Sequence, residues 1–139
     1  MRREAVNAGL PAYSPRLRRT GRIGYHLRDM TLFWLLAGHA LADFAIQPDA
    51  MARGKSRHYV PRQVEGRRAE TIWPYWLTSH ALIHGAAVAL ATGSVSLGIA
   101  EAVAHWLIDF GKCEDWYGFH VDQAAHVLCK VAWAAWLVA

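Results

Sequence analysis

The sequence predicts an all-α fold, a four-helix antiparallel bundle embedded in a membrane, and three observations carry that expectation. The first is segregation. With 54% hydrophobic and 19% charged residues and a mean hydropathy of +0.08, the 139-residue chain has the average of an ordinary soluble protein, yet its polar and apolar residues fall into separate stretches. The second is length: four apolar segments each approach the roughly 20 residues, at about 1.5 Å apiece, that a helix needs to span a bilayer. The third is Thr92-Gly93-Ser94, which can only be a tight hairpin between two of those helices. The length allows one domain. Two cysteines and a formal charge of +4 exclude a disulfide-stapled scaffold, and the apolar fraction excludes a wholly disordered chain.

Residues 1–29 carry Arg2, Arg3, Arg16, Arg18, Arg19, Arg22 and Arg28 with Pro11 and Pro15 and no helical apolar stripe, so they read as a disordered or loosely structured basic N-terminal extension. From Met30 the composition inverts, and a first helix is expected over about 30–47, closed by Gln47-Pro48. A second basic stretch, 49–71, contains Arg53, Lys55, Arg57, Arg62, Arg67 and Arg68. Three more helices follow, over about 73–92, 94–111 and 119–138, so that residues 30–139 form the helical domain. A soluble amphipathic helix shows a charged outer stripe. The faces of 73–92 away from its histidines are instead Leu, Ile, Ala, Val and Tyr, which favours lipid contact over a soluble bundle. Trp73, Trp76, Trp116, Tyr117 and Trp136, near segment ends, fit an aromatic belt. The lipid bilayer is therefore the expected partner, with the arginine-rich stretches on anionic headgroups. No nucleic-acid recognition fold accompanies those stretches, and no specific nucleic acid is expected. Ala40-Leu41-Ala42 resembles a signal-peptide cleavage site, but the basic region before it is too long and His39 and Asp43 interrupt the apolar run, so segment one should be retained.

The chemistry lies in the polar exceptions. Each apolar segment contains one pair of ligand-type side chains spaced i,i+4: His39 with Asp43, His80 with His84, His105 with Asp109, and Asp122 with His126. That spacing puts both members on one helix face, one turn apart, where they can bind one ion together. If the helices run up and down, 48–72 and 111–118 lie at the same end, and counting back from them puts all four pairs within roughly 3–17 Å of that end. Four helices then converge on one layer, as a metal site in a bundle core requires. Five imidazoles and three carboxylates suit Zn²⁺, Mn²⁺ or Fe²⁺ and are too rich in nitrogen for Ca²⁺ or Mg²⁺. Eight groups exceed one closed zinc shell, so either two ions are bound or some of the eight act as outer ligands or base. Glu101, one turn before His105, is the candidate catalytic base, and Gln123, like Gln47, is placed to orient ligands or touch substrate. Cys113 and Cys129 have no assigned role, and Lys130, one turn beyond His126, is placed either to snorkel toward the interface or to neutralise a carboxylate.

The strings LLAGHALADFAIQPDAMARGK, LTSHALIHG, AHWLIDFGK and FHVDQAAHVL resemble a family of small bacterial and phage multi-pass membrane proteins known as domain of unknown function 3307, over about 31–139. Its pattern of H-x3-D-F-x-x-Q, H-x3-H, H-x3-D and D-Q-x-x-H falls here on His39, Asp43, Gln47, His80, His84, His105, Asp109, Asp122, Gln123 and His126. The resemblance implies a shared polar site and a bacterial inner-membrane location, but no substrate. A looser likeness in layout connects it with membrane-bound metal-dependent hydrolases. The arginine-rich first 29 residues depart from the family pattern, and Met30, directly before segment one, marks an alternative start. The leading expectation is a metal-dependent hydrolase at the membrane interface holding one or two ions of Zn, Mn or Fe. The alternatives are a non-enzymatic membrane protein whose His/Asp pairs tie helices together or hold a structural metal, and a metal or proton carrier.

Overall fold

A computed structural model describes residues 20–60 and 72–139, and among them every regular element is helical. Helix α1 spans Thr20–Ala40 and continues into a π-helical turn, Leu41–Ile46. A short α2, Asp49–Gly54, follows, then α3, Trp73–Thr92, α4, Val95–Cys113, and α5, Phe119–Trp136. The four long helices form a ring in which α1 packs on α3 and α5, and α4 packs on α3 and α5, with α2 set against α3. Neighbours run antiparallel: His39 meets His84 while Asp43 meets His80 across α1 and α3, and His105 and Asp109 face His126 across α4 and α5.

Local sequence explains the ends. Pro74 occupies the first turn of α3, where its missing N–H breaks no helical bond. Gly93 terminates α3 in the left-handed region at φ 69°, and the Ser94 hydroxyl caps α4 by accepting from the Leu97 N–H at 3.3 Å. The tight hairpin expected at Thr92-Gly93-Ser94 is thus present. Further along it, α3 and α4 meet at Gly85 and Gly98: a Cβ on Gly85 would stand 2.6 Å from the Gly98 carbonyl oxygen, so only glycine permits this approach.

The buried side chains form one rail per helix at i,i+4 spacing. On α1 and its π-turn the rail reads Leu35, His39, Asp43; on α3, His80, His84, Val88; on α4, Leu97, Glu101, His105, Asp109; on α5, Asp122, His126, Lys130, Ala134. Leu35, Val88, Leu97 and Ala134 meet as an apolar layer with Leu32, Ala91 and Trp133 packed against it. Above it come Glu101 with Lys130, then imidazoles, then carboxylates. Each helix therefore carries its polar residues inward, while Leu82, Leu90, Ile99, Val103 and Leu107 are exposed on the outer faces of α3 and α4.

Three expectations are corrected here. No helix among the described residues is long and apolar enough to cross a membrane, which overturns the multi-pass inner-membrane placement. The physical reason is the inward rail: histidines and charged groups interrupt every apolar segment, and the aromatic and polar ends shorten it further. The outer apolar side chains resemble a lipid-facing surface only if those rails are left out. Residues 20–29, assigned to the basic extension, belong to α1, whereas 1–19 lie outside the described residues. The first helix, expected over about 30–47, ends in the π-turn Leu41–Ile46, the stretch expected after it begins with α2, and its part over 61–71 lies outside the described residues.

Candidate metal centre

All four i,i+4 pairs point into one cluster in the bundle. His84 Nε2 lies 3.0 Å from Asp43 Oδ1, and His80 Nε2 lies 3.2 Å from the same oxygen and 3.5 Å from Asp109 Oδ2. His126 Nε2 lies 3.3 Å from Asp109 Oδ1, and His105 Nε2 lies 3.7 Å from Asp109 Oδ2. Donor atoms of Asp43, His80, His84 and His105 all lie within 4.8 Å of one another, and so do those of His105, Asp109 and His126. Four donors around an ion at about 2.1 Å stand about 3.4 Å apart, so the first set needs only a small contraction to close on an ion. His105 belongs to both sets and forms the middle of an imidazole stack, with ring centroids 3.6 Å from His84 and 4.1 Å from His126. Its place on α4, diagonally across the ring of helices from α1, makes it the hub.

His39 and Asp122 border the two sets. His39 Nδ1 stands 3.5 Å from His84 Nδ1, and its Nε2 stands 3.3 Å from Gln123 Oε1. Asp122 Oδ1 is 3.6 Å from His126 Nε2, while its Oδ2 accepts from Gln123 Nε2 at 3.3 Å. Gln123 also donates to Asp43 Oδ2 at 3.0 Å, so it ties the carboxylates of α1's π-turn and α5 together. The π-turn suits this position, since such turns recur at functional sites and re-aim the side chains they carry.

Buried polar atoms are normally hydrogen-bonded, and those that are not call for an explanation. Here both ring nitrogens of His80 and of His105, Nδ1 of His126 and Oδ1 of Asp122 are buried without a hydrogen-bond partner. Lone pairs converging at metal-ligand spacing, desolvated and unpaired, are what an ion would satisfy. The protonation states agree. Burial lowers the His39 imidazole to about 4 and pushes His84 and His105 below the usual imidazole range, which keeps them in the neutral form that binds metals. Burial alone would raise the carboxyls of Asp43 and Asp109, but the close approach of His80 and hydrogen bonds with His84 and Gln123 at the first, and the His126 and Lys55 contacts at the second, outweigh it. Both are held below the ordinary carboxylate range. His126 is the exception: its hydrogen bond with Asp109 and the Asp122 carboxylate 3.6 Å away overcome burial and lift it to about 9.

Glu101 faces the other way. Its Oε1 accepts from Lys130 Nζ at 2.5 Å and its Oε2 from Trp133 Nε1 at 2.6 Å, beneath the cluster, while Oε1 stands 3.5 Å from His105 Nδ1. Lys130 does neutralise a carboxylate, namely this one. Sequence reasoning assigned no role to Lys55, whose Nζ donates to Asp109 Oδ2 at 2.7 Å from the opposite end. Pro48-Asp49 is a readable start for a short helix, but Lys55 falls just past its end and Arg53 lies on it, so that signal does not separate Lys55 from the other cations of the stretch. A pocket of about 400 Å³ opens on this end, lined by Asp43, Asp109, Asp122, Gln123, Lys55 and Lys112 among others.

No curated protein and no solved structure matches the chain. A family model does match, over residues 31–139, which includes every residue of the cluster, and its description is "Protein of unknown function (DUF3307)". The chain belongs to this family, DUF3307.

Proposed function

We propose that the cluster binds one or two divalent transition-metal ions, Zn²⁺, Mn²⁺ or Fe²⁺, and that the protein is a metal-dependent hydrolase. The observation that carries this reading is the pocket, which opens directly onto three carboxylates of the cluster, Asp43, Asp109 and Asp122. A structural metal site is closed, whereas a catalytic one keeps a position that water and substrate can reach. An ion held by the cluster's imidazoles and carboxylates would supply Lewis acidity, lowering the pKa of a water bound to it toward neutrality. The water oxygen bonds to a phosphorus or carbonyl carbon, the bond to the leaving oxygen or nitrogen breaks, and the water's proton ends on the leaving group.

The residues divide the work. Asp43, His80, His84, His105, Asp109 and His126 are the ligands, and His39 sets the edge of the shell against His84 and Gln123. Asp122 lines the pocket and has a buried oxygen with no hydrogen-bond partner, which makes it the base that receives the water's proton. Gln123, also in the pocket wall, orients Asp43 and Asp122 and touches substrate. Glu101, the sequence candidate for the base, lies beneath the cluster with Oε1 3.5 Å from His105 Nδ1 and acts as a positioning residue, its negative charge favouring the proton on Nδ1 and leaving Nε2 to the ion. The competing structural role draws on the hydrogen bonds from Lys55, Gln123 and His84 that already tie the elements together. A carrier role has less support, because the rails end in the apolar layer of Leu35, Val88, Leu97 and Ala134.

Two measurements test the proposal. Protein purified without chelator should contain about one or two transition-metal ions per chain by elemental analysis, and finding none would remove the metal reading. Asp122→Asn should keep the metal yet lower hydrolysis of activated phosphate and carboxylate esters by about 10²-fold or more. Full activity in that variant would return Asp122 to a structural role.

A further inference from the structure

The mouth of the cluster is cationic on one side, and the reason for that is in the chain's own geometry. Lys55 is delivered by α2, whose last residue, Gly54, lies against the Trp76 ring of α3 so closely that a Cβ would stand 2.6 Å from ring carbon Cδ1. Met51, buried on the same short helix, fixes the other end. The Lys55 side chain is only 14% exposed, and its ammonium donates to Asp109. With its amide oxygen turned toward that ammonium, Gln47 accepts from Lys55 Nζ at 3.1 Å and donates to the Asp43 carbonyl at 3.3 Å. Lys112, the penultimate residue of α4, lines the same pocket with no ion-pair partner among the described residues. The nearby Arg57 and His58 are already committed to Glu114 at the rim.

We infer that this end of the pocket is an anion subsite: Lys55 and Lys112 receive a phosphate-type dianion, which makes a phosphoester the substrate class of the hydrolase. The inference rests on the metal reading above and deepens it. Without metal, Asp109 is the counter-charge of Lys55. An ion bound to Asp109 takes over that carboxylate's charge, leaving a largely buried ammonium without an equal partner, which is unfavourable. An incoming phosphate restores the balance, with one oxygen toward the ion and others toward the two lysines. Lysine suits this role as a mobile point charge with three donors. The other lining charges, Asp43, Asp109, Asp115 and Asp122, are negative, so the subsite accepts an anion only when the metal is present.

The test is calorimetric titration of inorganic phosphate into the full chain, after the metal content of each sample has been measured separately. Metal-loaded wild type should bind phosphate, and chelator-stripped protein should not. Lys55→Gln should weaken binding by about tenfold or more at unchanged metal content, as expected for loss of a charge-assisted hydrogen bond, and Lys112→Gln should weaken it less. Lys55→Arg, which keeps the charge, should retain most of the affinity, and together with Lys112→Gln it keeps the test decisive if Lys55→Gln does not fold. Metal-loaded wild type that ignores phosphate, or equal binding by the stripped protein, overturns the subsite while leaving the metal reading intact. Lys55→Gln within about twofold of wild type overturns it as well. Wild type that holds no metal and takes none up fails in the elemental analysis instead, and removes both.

Discussion

Breaking the buried pair beneath the cluster gives the sharpest test of how the bundle is built. Lys130 and Glu101 are 1% and 0% exposed, and the ammonium meets the carboxylate at 2.5 Å. Lys130→Met keeps an unbranched side chain one atom shorter and removes its charge. Deleting one partner of a buried ion pair costs about 3–5 kcal/mol, because the other charge is left uncompensated. Trp133 still donates to Glu101 at 2.6 Å, which puts the expected loss at the lower end, about 3 kcal/mol. For a chain of this size that corresponds to a melting temperature lower by about 12 °C. The double variant Glu101→Leu/Lys130→Met removes both charges and should return to within about 1 kcal/mol of wild type, since an apolar replacement of a buried pair is often neutral or better. Its metal affinity should nonetheless fall by about 10–100-fold, because His105 Nδ1 has lost the carboxylate 3.5 Å away that fixes its tautomer. Urea denaturation of the metal-free proteins reads the first quantity, and competition with a chromogenic chelator reads the second. A single variant that loses less than about 1 kcal/mol, or a double variant as unstable as the single, would refute the reasoning about the pair. An unchanged metal affinity in the double variant would refute the role assigned to Glu101.

Other perturbations reach different parts of the molecule. His84→Ala removes a donor at the centre of one set, and elemental analysis should show metal content at or near zero; wild-type content would make His84 a packing residue. Gly85→Ala puts a Cβ 2.6 Å from the Gly98 carbonyl oxygen and should cost about 1–3 kcal/mol by forcing α3 and α4 apart, as read by thermal melting. For metal-free protein, the lowered His39, His84 and His105 mean that the unfolded chain binds protons the folded chain refuses. Stability from these groups is full above about pH 6.5 and declines as the pH falls below it. His126, held up at about 9, works in the opposite sense: its contribution is full below about pH 6.5 and is lost as the pH rises toward 9. Urea midpoints across that range should therefore peak near neutrality, and a steady rise to pH 9 would remove His126 from the account.

What the sequence made legible was periodic, and what it hid was not. The rails are strict i,i+4 repeats on helices that end at clear signals, Pro74 before one and Gly93 after it, so α3, α4, α5 and the convergence of their pairs could be read directly. Asp43 and Asp109 meeting His80 required only the up-and-down order of the helices. The π-turn was invisible, because nothing in Leu41–Ile46 distinguishes one extra residue per turn from an ordinary helix. Lys55 was lost among six cations of one loop, since spacing cannot tell which of them a six-residue helix will aim at the cluster. The direction in which Glu101 points was hidden for a related reason. Its place one turn before His105 was correct, but whether that turn points toward the pocket or the apolar layer depends on which end of the bundle is open. The membrane placement failed on bulk apolarity: the same rails that revealed the site keep every described helix from being apolar enough to span a bilayer.

The two lysines that close the column show how one interaction serves two purposes. Each presents an ammonium to a carboxylate of α4, Lys130 to Glu101 below the imidazoles and Lys55 to Asp109 above them. The lower pair is buried between the apolar layer and the imidazoles, away from the pocket, so its energy goes into holding His105 and the bundle. The upper pair borders a pocket of about 400 Å³, and its carboxylate is also a metal donor, so its partner is exchangeable. Asp109 also faces His126 and borders the pocket, so loss of the Lys55 ammonium, a single charge-assisted hydrogen bond with other partners at hand, costs about 1 kcal/mol, and Gln at position 55 still carries a donor. Lys55→Gln should therefore leave the melting temperature within about 4 °C of wild type, against about 12 °C for Lys130→Met. Equal losses at the two ends would mean that the upper lysine is a structural tie like the lower one, and that the open end of the cluster is built for stability.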